Sequence, residues 1–491
     1  MKISLSWLQQ YLKVDLSTDE LSELLTDIGL EVEGIHKYET IKGGLKGIVI
    51  GKILTVDKHP DADRLNLTTV DVGAEDPLQI VCGAPNVAIG LNVPVATVGT
   101  RLYDGDESFK IKRSKIRGQI SNGMICGPDE IGLGPKTDGI MELPDDAEVG
   151  MAGANYFNIN EDIVFEIGLT PNRSDAMSHI GVARDLKAVL NSRGDDLKMC
   201  MPSIKDFKID NKDLTIDVKI ESESLCPRYS GVSISNITVN ESPDWLKHKL
   251  LSIGINPINN IVDVTNYVLH ETGQPLHAFD TEKILGKEII VKTLSNDTNF
   301  ITLDESNRKL SDNDLMICNA KEPMCIAGVF GGLDSGVTDN TNSIFIESAY
   351  FDPTSIRKTA KYHKLNTDAS FRYERGCDPN ITVYALKRAA LLIQELCGGV
   401  ISSDVVDVYP NPIEDFSINF SFNNLNKLIG EELDRNLVRS IIKNLEIKII
   451  EENDDSLSLL VPPYRTDIRR EVDVIEDILR IYGFNSIKIN N

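Results

Sequence analysis

Leu67-Thr68-Thr69-Val70-Asp71-Val72, Gln79-Ile80-Val81 and Val93-Pro94-Val95-Ala96 are short apolar runs set apart by Gly, Pro, Asp and Asn turns. With Ile48-Val49-Ile50 upstream they predict about five strands in roughly a hundred residues, the density of a small Greek-key barrel of the OB type. The barrel is expected over residues 40–152. Outward on its N-terminal side, Ser17-Thr18-Asp19-Glu20 forms a capping box ahead of Leu21, Leu24, Leu25 and Ile28 at helical spacing, and Gly29 stops that helix. Glu31-Val32-Glu33-Gly34-Ile35 reads as a strand, and a strand then a helix resume around Glu161–Ile167. This return predicts a discontinuous N-terminal α+β domain, 1–39 plus 153–205, with the barrel inserted into it.

Beyond the barrel, 209–398 mixes strands with helices such as Trp245–Ser252 and Ala385–Leu396, and 404–482 has an αβ rhythm. Residues 483–491 form a tail that carries no further folded element. The expected fold class is multidomain α+β: an inserted OB-fold barrel, a mixed α/β domain and a small αβ C-terminal domain.

The chain has 491 residues, 41% of them hydrophobic and 26% charged, with no low-complexity tract, so it is expected to be globular. No run approaches the eighteen or so apolar residues of a membrane helix, and the N-terminus lacks a signal-peptide pattern. Eight scattered cysteines without a C-x-x-C pair point to a reduced, cytoplasmic protein with no zinc site. The formal net charge of −24 argues against a general nucleic-acid or DNA binder, since phosphate affinity comes from Lys and Arg.

One local basic patch runs against that balance. Phe109-Lys110-Ile111-Lys112-Arg113-Ser114-Lys115-Ile116-Arg117 is expected to alternate as a strand, with Lys110 and Lys112 on one face and Ile111 and Arg113 on the other. Lys52, Lys58, His59 and Arg64 add cations and a ring beside a turn. A charge run is more often a solvated edge, but on a barrel type that binds oligonucleotides RNA contact becomes the better reading.

Two further constellations carry chemistry. Asn266-Tyr267 and Gly273-Gln274-Pro275-Leu276-His277 are followed about fifty residues later by Gly328-Val329-Phe330-Gly331-Gly332 and Glu347. A histidine, a carboxylate and a glycine-lined wall are the inventory of a small hydrolytic pocket; the bland alternatives are a structural histidine and a surface strand glutamate. Near the C-terminus, Asp467 precedes Asp473, Glu476 and Asp477, the last three on one helix face opposite Val472, Ile475, Leu479 and Tyr482. Oxygen-only ligands of this kind suit Mg²⁺; the alternative is an acidic exposed face.

Asp57-Lys58-His59-Pro60-Asp61-Ala62-Asp63-Arg64-Leu65, Ile80-Val81-Cys82-Gly83-Ala84-Pro85-Asn86-Val87 and Ser121-Asn122-Gly123-Met124-Ile125-Cys126 together resemble the tRNA-binding barrel associated with synthetases. Gly127-Pro128 departs from that pattern locally. The third region resembles the editing domain of bacterial phenylalanyl-tRNA synthetase β subunits, and the domain order resembles that family throughout. The resemblance implies an editing pocket of Thr265, Asn266, Pro275, His277, Ala327, Gly328, Gly331, Glu347 and Ala369, which hydrolyses tyrosine wrongly esterified to the phenylalanine tRNA. It implies tRNA contact for Lys58, Arg64, Lys110, Lys112, Arg113, Lys115 and Arg117. It also implies Mg²⁺ at Asp467, Asp473, Glu476 and Asp477, shared with an α subunit in an α2β2 assembly whose ATP-dependent synthetic site lies on α. Asp477 stands where that family usually has Glu, so its reach is shorter. The family continues past Tyr482-Gly483-Phe484 into further domains, so the chain reads as truncated.

The chemistry suits the task. A pocket that fits phenylalanine rejects an added hydroxyl poorly, so a second sieve is useful. Glu347 meeting the phenol O–H would accept a bond that phenylalanine cannot offer, and an unpaired carboxylate costs about 1–3 kcal/mol or more. The runner-up reading is a non-catalytic tRNA-binding and assembly scaffold with an inactive pocket; a freestanding editing factor is a third. Phe371-Arg372-Tyr373-Glu374 fits the short F-R-x-E signature by which class II synthetases hold ATP, but four residues with one wildcard recur by chance, and a structural ion network is expected there.

Overall fold

The computed structural model describes residues 1–105 and 107–487, so the end of the expected tail, residues 488–491, lies outside the described residues. Two compact units emerge, one of residues 37–162 and one of residues 1–36 with 163–491.

In the smaller unit five strands form one sheet in the order Gly123–Ile125, Asn92–Thr97, Ile48–Lys58, Asn66–Asp71 and Leu78–Cys82. Asn122 N–H donates to the Gln79 carbonyl at 2.9 Å and Gln79 Nε2 to the Ile120 carbonyl at 2.8 Å, so the sheet's edges are drawn together into a near-closed barrel. Inward residues of the alternating strands, Ile53, Val70, Ile80, Val93, Val95 and Ile125, fill it. The basic run is not one strand. Glu107–Lys110 pairs with Arg101–Asp104, the chain turns through 111–113, and Ser114–Ile116 pairs with Gln119–Ser121. Just past the first hairpin Ile111 is buried with Leu45, Ile48 and Leu102, and its N–H donates to the Thr100 carbonyl at 2.8 Å.

Lys2–Ser4, Glu161–Gly168 and Glu31–Glu39 are neighbours in a three-stranded sheet, most of which belongs to the larger unit. The capping box at Ser17 and Glu20 opens helix Thr18–Asp27, and Gly29 follows it at φ +80°. Trp7 stacks on His179 at 4.0 Å and on Tyr267 at 4.5 Å, tying the N-terminal segment to helices His179–Ser192 and Asn260–Thr272.

The central five-stranded sheet runs Leu276–Asp280, Ser343–Tyr350, Arg228–Ile237, Gly398–Ile401, with Val406–Val408 also paired to Arg228–Ile237, all antiparallel. Alternation divides its faces. Ala278, Ile344, Ile346, Val232 and Ile234 enter a core shared with helices Asn260–Thr272 and Thr382–Cys397. Phe279, Phe345, Ala349 and Tyr229 enter a second core, completed by Ile289, Val291, Ile317 and Cys325 of another five-stranded sheet.

The C-terminal region packs helix Glu471–Tyr482 with a sheet of Phe416–Ser421, Ser456–Val461 and Lys448–Glu452. Its buried stripe is Val474, Ile475, Ile478 and Ile481, whereas Val472 is exposed. This corrects the expected face: Asp477 lies on the buried side because Arg465 and Arg480 receive it there.

Candidate active site

Glu347 shares the inner face of its strand with Phe345 and Ala349, and only 4% of it is exposed. His277 stands directly opposite on the adjacent antiparallel strand, and Gly231 opposite on the other side. Both glycines near this row are dictated by space. A Cβ on Gly231 would collide with the Phe345 ring, and one on Gly331 would stand 3.3 Å from His277 Cε1. The imidazole also meets the Phe279 ring edge-on, with centroids 4.5 Å apart.

Four buried polar atoms along these strands have no hydrogen-bond partner among the described residues: Tyr229 Oη, Gln274 Oε1, His277 Nε2 and Glu347 Oε2. Tyr229 pairs in register with Ala349, two residues from Glu347. Gln274 donates from Nε2 to the Ala349 carbonyl at 2.8 Å. Each buried orphan costs about 1–3 kcal/mol, so four together describe a place built to receive polar groups from elsewhere.

Burial pushes Glu347 up to about 7, with Tyr229 opposing the shift. Burial lowers His277 to about 4, so near neutral pH its ring is uncharged. Burial keeps the Tyr229 hydroxyl protonated, and the Glu347 carboxylate adds to that.

The other expected pocket residues divide. Ala327 is buried in the same core, and Ala369, on helix Asp368–Tyr373, packs against it. The Pro275 carbonyl accepts from Gln274 Nε2 at 3.1 Å and from the Tyr373 hydroxyl at 3.3 Å. Gly328, at φ +65°, faces Tyr373, Phe351 and Ile356, so it serves core packing. Thr265 and Asn266 stand on helix Asn260–Thr272, whose Ile261, Val264 and Val268 belong to the core on the opposite side of the sheet. The Thr265 hydroxyl donates to the Val262 carbonyl at 2.7 Å. Tyr229 and Gln274 were missed in the sequence; Gln274 lay inside the quoted motif, and Tyr229 had only strand alternation to betray it.

On the barrel, Lys58, Arg64, Lys110, Lys112, Arg113, Lys115 and Arg117 are all exposed. His59 is buried and joins the turn to the hairpin: Nδ1 accepts from Asp61 N–H at 3.0 Å, and Nε2 lies 3.2 Å from the Ile116 carbonyl. Arg117 Nη1 donates to the Asp61 carbonyl at 3.2 Å. The cations on the turn and on the hairpin therefore share one part of the barrel surface.

The C-terminal carboxylates line a cleft of about 560 Å³ together with Arg173 and Arg480. Asp477 is bonded to Arg465 and, at 3.1 Å, to Arg480; burial raises its pKa, but the two guanidiniums outweigh that and hold it low. Asp473 accepts from the Arg469 and Arg470 N–H groups at 3.0 and 2.8 Å, which makes it a helix cap. Glu476 is exposed, and burial lifts Asp467 to about 6. Among the described residues no three such groups are placed to share a metal ion. The donor set does not fit Mg²⁺ as it stands, because arginines occupy its most buried carboxylate.

Three domain families match the chain: the tRNA-binding domain over residues 48–152, the B3/4 domain over 225–398 and the tRNA synthetase B5 domain over 418–484. The phenylalanine–tRNA ligase β subunit of Bacteroides thetaiotaomicron is 56% identical over 489 residues, covering 100% of this chain and 60% of that protein. Those of Bacteroides fragilis and Porphyromonas gingivalis are 55% and 54% identical with the same coverage. The chain belongs to the phenylalanine–tRNA ligase β-subunit family. It spans about 60% of the length of the curated relatives it matches.

Within this β-subunit frame His277, Glu347, Tyr229 and Gln274 all fall in the B3/4 match, the exposed cations in the tRNA-binding match, and the acidic cleft residues Asp467 to Asp477 in the B5 match. The F-R-x-E segment is structural. Arg372 is buried and donates to the Met177 carbonyl at 3.2 Å, the Asp368 carbonyl at 2.9 Å and His270 Nδ1 at 3.2 Å. Among the described residues no helix is long and apolar enough to cross a membrane.

Proposed function

We propose that this chain proofreads: it hydrolyses tyrosine wrongly esterified to the phenylalanine tRNA, binds tRNA through the barrel, and docks an α subunit. The assembled ligase would join phenylalanine to its tRNA using ATP and Mg²⁺, with synthesis on α, in an α2β2 complex of the cytoplasm. The observation that carries this reading is the opposition of His277 and Glu347 in a buried row with unpaired polar atoms.

The reaction needs little from the protein. Water adds to the ester carbonyl, the bond to the ribose oxygen breaks, and the water's proton passes to that oxygen. His277, uncharged near pH 7 and a weak base at about 4, is suited to hold the water or the ester through Nε2. Glu347 Oε2 is free to accept the tyrosine phenol O–H, whereas phenylalanine would leave it desolvated and unpaired. The exposed cations on the barrel would neutralise phosphates.

The deciding experiment is deacylation by the purified chain of tyrosyl-tRNA bearing the phenylalanine anticodon, with phenylalanyl-tRNA as control. Selective loss of tyrosine is expected. Equal or absent hydrolysis, persisting when an α subunit is added, would leave a tRNA-binding scaffold.

A further inference from the structure

Glu347 explains how a phenol proton is received, but not why the neighbouring Tyr229 hydroxyl is buried without a partner. We infer that Tyr229 is a second specificity residue of the same pocket, donating its hydroxyl proton to the oxygen of the substrate phenol while Glu347 accepts the phenol's own proton. The inference rests on the proofreading reading and deepens it.

Three observations support the pairing. Tyr229 and Glu347 occupy the same face of adjacent strands, because Tyr229 pairs with Ala349 and Gly231 with Glu347. Tyr229 is fully buried, and its Oη shares with Glu347 Oε2 the lack of any hydrogen-bond partner among the described residues. The two groups nevertheless influence one another, Tyr229 opposing the rise of the carboxyl and Glu347 favouring the protonated phenol. A buried donor facing a buried acceptor, close enough to act on one another but without a hydrogen bond of normal geometry, matches a ligand group that both donates and accepts. A hydroxyl is such a group; a bare phenyl ring offers neither function. Two-point recognition also makes rejection of phenylalanine steeper than one orphaned carboxylate would, since its binding leaves both groups unpaired.

Around Glu347 the groups that titrate are His277 on the adjacent strand, Tyr229 and, from the surrounding core, Cys226, Cys325 and Tyr373. Of these, Tyr229 alone combines an unpaired hydroxyl with a direct effect on the carboxyl.

The test separates donation from acceptance using adenosine analogues that carry the amino acid as a non-hydrolysable 3′-amide. Tyrosine, phenylalanine and 4-aminophenylalanine are compared by calorimetry on the full chain and on Tyr229→Phe. The aniline nitrogen still donates to Glu347 but accepts poorly. Tyr229→Phe keeps the ring that packs the core, so it is expected to fold as the parent does. It should weaken the tyrosyl analogue about 3- to 30-fold while leaving the 4-amino and phenylalanyl analogues within about 2-fold. Equal weakening of all three, or of none, would overturn the inference. If the unaltered chain binds the tyrosyl analogue no better than the phenylalanyl one, phenol recognition itself fails and the inference falls with it. Hydrolysis without a Tyr229 effect would leave proofreading standing and remove only Tyr229.

Discussion

His277 and Glu347 stand directly opposite one another on neighbouring antiparallel strands, and each keeps a buried polar atom without a hydrogen-bond partner among the described residues. Burial drives both toward their neutral forms, the imidazole down to about 4 and the carboxyl up to about 7. Between those limits the row holds no charge on either group, and so can sit inside an apolar core until a substrate supplies partners.

Glu347 should make the fold pH-sensitive. Its folded pKa is raised, so the native state binds the extra proton; the stability this gives is fully present below about 4.5 and is lost as pH rises through about 7. Glu347→Gln is expected to be more stable than the parent at pH 8 by about 1–3 kcal/mol, with the gap closing at pH 4. Urea denaturation at the two pH values checks this.

His277→Ala should slow tyrosyl-tRNA hydrolysis by about 10- to 1,000-fold without altering tRNA affinity. In the parent, tyrosyl selectivity should carry an inflection near pH 7 from Glu347 and none from His277 until about pH 4. An inflection near 6.5 that vanishes in His277→Ala would mean that the ring is hydrated rather than buried.

Replacing Lys110, Lys112 and Lys115 with Gln should weaken tRNA binding and lower the slope of log affinity against log salt by about 2–3, roughly 0.7–0.9 for each phosphate left unneutralised. Filter binding at several salt concentrations measures it. An unchanged slope would make the patch a solvated edge.

Arg480 donates to Asp185 at 3.0 Å, to Asp477 at 3.1 Å and to the Ile28 carbonyl at 3.0 Å. Arg480→Met takes one guanidinium each from Asp185 and Asp477, which keep Arg173 and Arg465. It should cost less than the roughly 3–5 kcal/mol of a fully unpaired buried charge, with partial recovery in the double variant with Asp477→Asn. The same geometry predicts that millimolar Mg²⁺ or EDTA leaves the melting midpoint of the isolated chain unmoved.

The barrel strands were legible because turn residues punctuate them at short intervals, and helix Thr18–Asp27 because its cap is local. The basic run misled: its strand ends at Lys110, and the burial of Ile111 among Leu45, Ile48 and Leu102 is a tertiary fact no spacing encodes. The last helix misled for a similar reason. An aspartate reads as an outward residue until two arginines are there to receive it, and one of them, Arg465, lies outside the helix. At the candidate site His277 and Glu347 were visible through the motif, but Tyr229 sits more than a hundred residues before Glu347 and meets it only through strand pairing.

Strands Glu31–Glu39 and Glu161–Gly168 are neighbours in one sheet, and the whole barrel is strung between them. The excursion thus leaves and re-enters its host at adjacent points. A designer could replace everything between with a tight hairpin and lose one module without rethreading the other. By the same logic, a lineage could lengthen, trade or discard its RNA-facing module while the residues around Glu347 stay under their own selection.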